Sequence, residues 1–302
     1  FRSRVRSVLN VPDDEKLNKL AQQSKELVEE LNRLSVSENF MQNVIELKNQ
    51  IKDIANKIQK VNKVEMPTGT GIKIEDVLWQ KEVTCPVCSH TFITNNYRSK
   101  SLTVLKKEDD FHEIYGVINP IAFDIWVCPE CLYAAKKEDY ETINPEVLEK
   151  IAMDKSMRKK AAGDIDFNLV RDYETGIMSY RLAFMCYQFR RATFAFIGSL
   201  HLKCAWLARE RGDAELEKRE LKSVIENYET AFSIGEKISG QISEVGVLYL
   251  IGELYRRLGD SNMAVKYLMK VRQNPNADSD KAIVRMASDV MDNIRKEKNK
   301  RN

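Results

Sequence analysis

CPVCSH at residues 85–90 is answered by CPECLY at residues 128–133. A C-x2-C turn lets two thiolates reach one ion from a single tight loop, with the surrounding backbone amides free to hydrogen-bond the sulfurs. Two such turns supply the four soft ligands that zinc accepts tetrahedrally, and Pro86 and Pro129 stiffen the turns in advance. The spacing therefore predicts that Cys85, Cys88, Cys128 and Cys131 hold one structural Zn2+. Iron in the same four-thiolate cage remains an alternative. A thioredoxin-like redox pair would need one C-x-x-C beside a βαβ pattern, and a disulfide framework would suit a secreted chain; neither context is present. Four thiolates fill the tetrahedron, so the ion is expected to be structural rather than catalytic. His90 and His112 read as surface residues or neighbours of the ligands. Cys186, His201 and Cys204 lie on helical faces and read as buried or structural.

The segment around the pairs, 81–142, has its own character. HTFIT, SLTVL and IAFDIWV are short runs rich in β-branched and aromatic residues, and the last alternates Ile121, Phe123, Ile125, Val127 against Ala122, Asp124, Trp126, predicting a strand. So small a β module buries little apolar area, whereas zinc binding in small peptides supplies on the order of 10 to 16 kcal/mol. The ion is expected to fold it.

Upstream, Leu17, Leu20, Ser24, Leu27, Leu31 and Leu34 form one seam and Phe40, Val44, Leu47, Ile51, Ile54, Ile58 and Val61 another, broken by SVSE, where Ser35 and Glu38 make a capping box. Residues 1–64 are thus expected to be a helical hairpin or coiled coil, either packing on itself or forming a homo-oligomer through residues 14–63. Residues 65–80 read as a linker. Its GTGIK lacks the GK[ST] ending of a phosphate loop.

Downstream, residues 145–302 are helical in period. EVGVLYLIGELYRRLGDSNMAVKYLMKVRQNP at 244–275 fits the tetratricopeptide pattern: Gly252 where paired helices touch, Tyr255, the turn at Gly259, Ala264 on the second helix and Pro275 closing the unit. A degenerate unit overlays HLKCAWLARERGD, with Ala205 and Gly212 in the equivalent roles and Glu217 in place of the expected Ala. The fold class is therefore mainly α, with a zinc-ribbon-like β insert and a C-terminal tetratricopeptide-like α-solenoid. In such arrays the first helix of each pair lines the concave surface, which predicts that Trp206, Arg209, Tyr249, Glu253, Arg256 and Arg257 face a protein or peptide partner.

The 302 residues contain 48 Lys and Arg against 45 Asp and Glu, so the formal net charge is +3 and no polyanion partner is demanded. The basic pieces, residues 1–10, MRKK at 157–160 and RKEKNKRN at the C-terminus, read as solvated helix ends or termini. No apolar run suits a membrane span, and the N-terminus lacks a secretion signal, which points to the cytoplasm. The chain begins at Phe1, leaving room for an upstream domain; one alternative is an accessory domain of a longer regulatory protein.

KEVTCPVCSHTF, DDFHEIYGVINPIAFDIWVCPECLYAA and GSLHLKCAWLARERGD with LYLIGELYRRLGD together resemble a bacterial family known as domain of unknown function 2225. The likeness covers about residues 81–297. It implies a metal-binding β module followed by tetratricopeptide-like helices and a bacterial source, and no reaction. Ser89 and Leu132 stand where such metal turns often carry Gly.

No GxSxG, HExxH, Walker or dinucleotide pattern is present, and Asp109-Asp110 read as loop caps, so catalysis ranks third among functions. Nucleic-acid binding through the four-cysteine module ranks second, because residues 81–142 hold 7 basic against 10 acidic residues, net −3, and binding requires Arg98, Lys100, Lys106 and Lys107 to cluster on one face. A non-enzymatic adaptor ranks first.

Overall fold

In the computed structural model, residues 72–238 and 242–301 are described, together with positions 22 and 26. The helical hairpin expected at 1–64, and most of the linker, lie outside these residues. Positions 22 and 26 are both helical, and Gln22 Nε2 donates to Glu26 Oε1 at 3.1 Å. The remainder of the expected linker already has structure: a helical turn, α1 (Ile74–Val77), leads directly into strand β1 (Leu78–Thr84).

Three antiparallel hairpins follow. β1 pairs with β2 (Thr91–Tyr97) from Leu78↔Tyr97 to Thr84↔Thr91, so CPVCSH is the connecting turn. β3 (Val104–Lys107) pairs with β4 (Glu113–Tyr115), with a register irregularity between Val104 and Lys106. β5 (Ile125–Val127) pairs with β6 (Ala134–Lys136) from Ile125↔Lys136 to Val127↔Ala134, and CPECLY is the turn. The strand expected over 121–127 is shorter than its alternation suggested. Asn119 Oδ1 accepts from the Ile121 amide at 2.9 Å, Pro120 presets the first turn, and Pro120–Phe123 coil into a 3-10 turn. All of residues 120–127 are buried, so the alternating letters do not mark one buried face.

Helices complete the chain: α2 (Pro145–Met153), α3 (Lys155–Ala162), α4 (Tyr173–Arg190), α5 (Phe194–Arg211), α6 (Ala214–Ser233), α7 (Glu244–Arg257), α8 (Ser261–Gln273) and α9 (Lys281–Arg301). The Gly-Asp pairs at 212–213 and 259–260 each do two jobs. The glycines adopt φ of +82° and +88°, ending α5 and α7. The following aspartates then accept from the Leu216 amide (3.0 Å) and the Met263 amide (2.9 Å), starting α6 and α8. α5 packs on α6 and α7 on α8. Gly252 sits where its own pair touches: a Cβ there would lie 2.8 Å from Leu268 Cγ and 3.3 Å from the Ala264 carbonyl.

The β hairpins and the helices share one hydrophobic core. α4 lies across β5, β6 and the 120–123 turn, so closely that a Cβ on Gly176 would come within 2.9 Å of Ala122 Cβ. Tyr180, Leu182, Ala183 and Cys186 of α4 pack into the same cluster as Ile125, Val127 and Ala134. Residues 72–302 form a single compact unit, without the division near 143 that composition suggests. Among the described residues, no helix is long and apolar enough to cross a membrane.

Candidate metal centre

The two turns are near copies of each other. Cys85 N donates to the His90 carbonyl and Ser89 N to the Cys85 carbonyl; Cys128 N donates to the Tyr133 carbonyl and Leu132 N to the Cys128 carbonyl, all at 2.9 Å. Closing so tight a loop forces its fifth residue into the left-handed region, with φ of 60° at Ser89 and 57° at Leu132. These are the positions where the sequence departs from the usual Gly, and both side chains tolerate the turn geometry. At the mouth of the first hairpin, the Thr84 and Thr91 hydroxyls meet at 3.0 Å.

The four sulfurs converge. Cys85 and Cys131 Sγ stand 3.6 Å apart, as do Cys88 and Cys128 Sγ, and all four lie within 4.8 Å of one another. A tetrahedron with zinc–sulfur bonds of about 2.3 Å has edges of about 3.8 Å, so the donor set fits such an ion. Cys85, Cys128 and Cys131 are buried, and Cys88 is the outermost. Thiol hydrogen bonds from Cys128 and Cys131 hold the Cys85 pKa down to about 2 against the opposing effect of burial, whereas Cys128, Cys85 and burial together push Cys131 far up. Four neighbouring sulfurs cannot all be anionic without a cation among them. The cluster can therefore hold a metal ion, and no fourth-position opening is left for a reacting water.

The surroundings are specific. Met157, Lys159 and Lys160 of MRKK are exposed as a solvated helix end requires, but Arg158 is fully buried, and its Nε and Nη2 donate to the Cys131 carbonyl at 3.2 and 3.1 Å, with Asp154 at 3.5 Å. It places a fixed positive charge behind the second turn, which favours an anionic four-thiolate cluster. Tyr140 stacks at angles on Phe92, Trp126 and Tyr133 over the same sulfurs, and burial together with charge at Cys85 pushes its phenol pKa well up. Cys186, buried as expected, accepts from the Ala134 amide at 3.4 Å. Cys204 is buried too. His90 is exposed, and His201 stacks on Phe184 and pairs with Glu220 at 2.7 Å.

Of the six residues expected to face a partner, Trp206, Tyr249 and Glu253 are buried, and Trp206, Arg209, Tyr249 and Arg257 meet the tip of the chain's own β3–β4 hairpin, which lies across α5 and α7. Arg209 forks onto Asp110, Nη1 to Oδ1 at 3.2 Å and Nη2 to Oδ2 at 2.6 Å, and also binds Glu108. Trp206 Nε1 donates to Asp110 Oδ2 at 3.1 Å, and the Tyr249 hydroxyl donates to the Asp109 carbonyl at 2.9 Å. Phe111 meets the Tyr249 ring at 5.4 Å, and His112 stacks on Trp206 at 5.0 Å. Arg257 reaches Asp110 at 3.5 Å. Glu253, fully buried, holds Arg256 (2.7 Å) and Arg257 (2.9 Å) in place. Glu217, the departure from the repeat pattern, accepts from Arg209 Nε at 2.7 Å. Burial opposes ionisation of Asp110, but Arg209, Arg257 and the Trp206 N–H outweigh it and hold the carboxyl below the usual carboxylate range.

Sequence reasoning missed Arg158, Asp110 and Glu210. Glu210 lies 2.9 Å from His112 Nε2 and accepts from Asn119 and from Tyr173 (3.1 Å), although neither His112 nitrogen is in hydrogen-bonding geometry. The one available signal was the acidic run EDD beside aromatic residues between two strands. Its partners lie about a hundred residues away, beyond any local period.

Over 122 residues, the chain is 29% identical to an "Uncharacterized protein" of Borreliella burgdorferi, a stretch that covers 36% of this chain and 43% of that relative's length. No solved structure matches. Residues 78–294, which include both C-x2-C turns and the helices from α2 through most of α9, match the model of a family described as uncharacterized protein conserved in bacteria (DUF2225), and the chain belongs to that family.

Proposed function

We propose that the chain is a non-enzymatic adaptor. A zinc ion stiffens the two C-x2-C hairpins, the hairpins seat a tetratricopeptide-like array of helix pairs, and the groove on α5 and α7 receives a segment of a protein partner. The observation that carries this reading is the way five consecutive residues, Glu108 to His112, are held there by side-chain and main-chain contacts. Helical-repeat surfaces hold peptides through such converging side chains; here the residues held form a tight turn, with Glu108 N donating to the His112 carbonyl at 2.7 Å and Phe111 N to the Glu108 carbonyl at 3.0 Å. The closed four-sulfur cage supports a structural ion. Nucleic acid is less favoured because three of the four basic residues that would bind it are engaged: Arg98 donates to the Leu78 carbonyl at 2.8 Å, Lys106 pairs with Glu108 and Lys107 with Glu113.

Affinity purification of the full chain from its bacterium, with elemental and protein analysis of the same preparation, tests the reading. One zinc per chain and one protein in fixed ratio are expected. Nuclease-sensitive co-purification of RNA or DNA in place of a protein would overturn it. Reversing Arg256 to Glu is a poor probe, because it would set a second carboxylate against the buried Glu253 and disturb the fold. The groove is better probed through the segment that fills it.

A further inference from the structure

We infer that the groove on α5 and α7 takes an acidic, aromatic-bearing segment of another protein, and that residues 108–112 hold its place in the free chain. This rests on the adaptor reading and names the chemistry of its partner. The groove's donors match such a segment feature by feature. Arg209 and Trp206 converge on one carboxylate, Arg257 adds a second cation, Tyr249 reads a main-chain carbonyl, and the Tyr249 and Trp206 rings offer faces to aromatic side chains. A guanidinium fork with an indole N–H selects a carboxylate by geometry as well as by charge.

The resident segment is built to be exchangeable. It adopts its docked form with Phe111 at φ +68°, a conformation that an aromatic residue rarely holds without outside contacts. Its supporting arm is slight: all four residues of β3 are exposed, the register is broken, and a lone two-stranded hairpin is marginal by itself. None of the four cysteines lies between Val104 and Tyr115, so the arm can leave the groove with the metal hairpins intact. Beside the tip, an open cleft of about 260 Å³, lined in part by Asp109, Arg256, Val290 and Lys296, extends the site along α9 and gives a longer segment room. Cis occupancy then lowers the apparent affinity for any trans ligand by the fraction of time that the groove is open.

The probe is a labelled peptide of residues 106–115, KKEDDFHEIY, added to the full chain and to a variant whose residues 108–112 are replaced by Gly and Ser. Circular dichroism and metal content confirm that the variant is folded. The opened variant should bind the peptide at least about tenfold more tightly than the parent, and a peptide with Lys in place of the residue matching Asp110 should not bind. A folded, opened variant that ignores the peptide would overturn the inference, as would a concentration-dependent dimer of the parent that the loop replacement abolishes, since the occupant would then be a second copy. Should that variant not fold, Asp110→Asn in the full chain must raise peptide affinity several-fold. In addition, hydrogen exchange at 108–112 in the parent must outpace that of α7; exchange only with global unfolding would sink the idea. The adaptor reading fails separately, if the peptide binds but no cellular protein accompanies the purified chain.

Discussion

Ser89 and Leu132 share a backbone conformation and should respond oppositely to the same substitution. Left-handed φ costs a residue with a Cβ about 1–2 kcal/mol, and glycine's extra freedom in the unfolded chain takes back about 0.5–1 kcal/mol. At exposed Ser89 only these two effects compete, so Ser89→Gly should raise the unfolding free energy by about 0.5–1 kcal/mol. Leu132 is buried, and losing its side chain forfeits about 1.5–3 kcal/mol of apolar burial, so Leu132→Gly should be net destabilising. Denaturant midpoints of the two variants check both signs. Arg158→Met keeps bulk but removes the charge and the donors behind Cys131, and metal affinity should fall roughly ten- to a hundredfold, read by chelator competition.

Among the elements, the hairpin tip answers to acid. Glu108 and Asp110 ionise more readily in the folded chain than in the unfolded one, so their contribution to docking is complete above the ordinary carboxylate range. It is lost as pH falls through their lowered folded values. The tip should leave the groove below about pH 4, with tryptophan emission changing before helical dichroism does. How much of each element was legible depended on whether its cause was local. The C-x2-C turns and the Gly-Asp turns are each set by residues within a few positions of one another, and the contact at Gly252 with Ala264 and Leu268 joins two helices consecutive in the chain, so sequence pattern located them. The 3-10 turn at Pro120–Phe123 was misread because a segment buried on every side carries no face to alternate. Arg158 was hidden in a basic run, whose letters look the same whether the guanidinium meets water or a carbonyl.

For the molecule as a whole, the shared core changes what metal removal does. A separate module would melt alone and leave the helices standing, but β5 and β6 are one side of the core whose other side is α4. Chelation under reducing conditions should therefore lower the midpoint of a single unfolding transition for residues 72–302, by both helical dichroism and tryptophan emission; two separate transitions would contradict the shared core. Composition could not reveal this unity, because the contact between Gly176 and Ala122 joins segments that look like different domains when read in order.

Of the four converging sulfurs, three are walled in and Cys88 alone looks outward. Traffic at an ion held there would be confined to one doorway: an incoming chelator, a competing metal or an alkylating reagent would begin at that single exposed thiolate, with the three buried ones reached after it. Exchange is set by how readily one corner of the cage comes loose, however tightly the remaining corners grip.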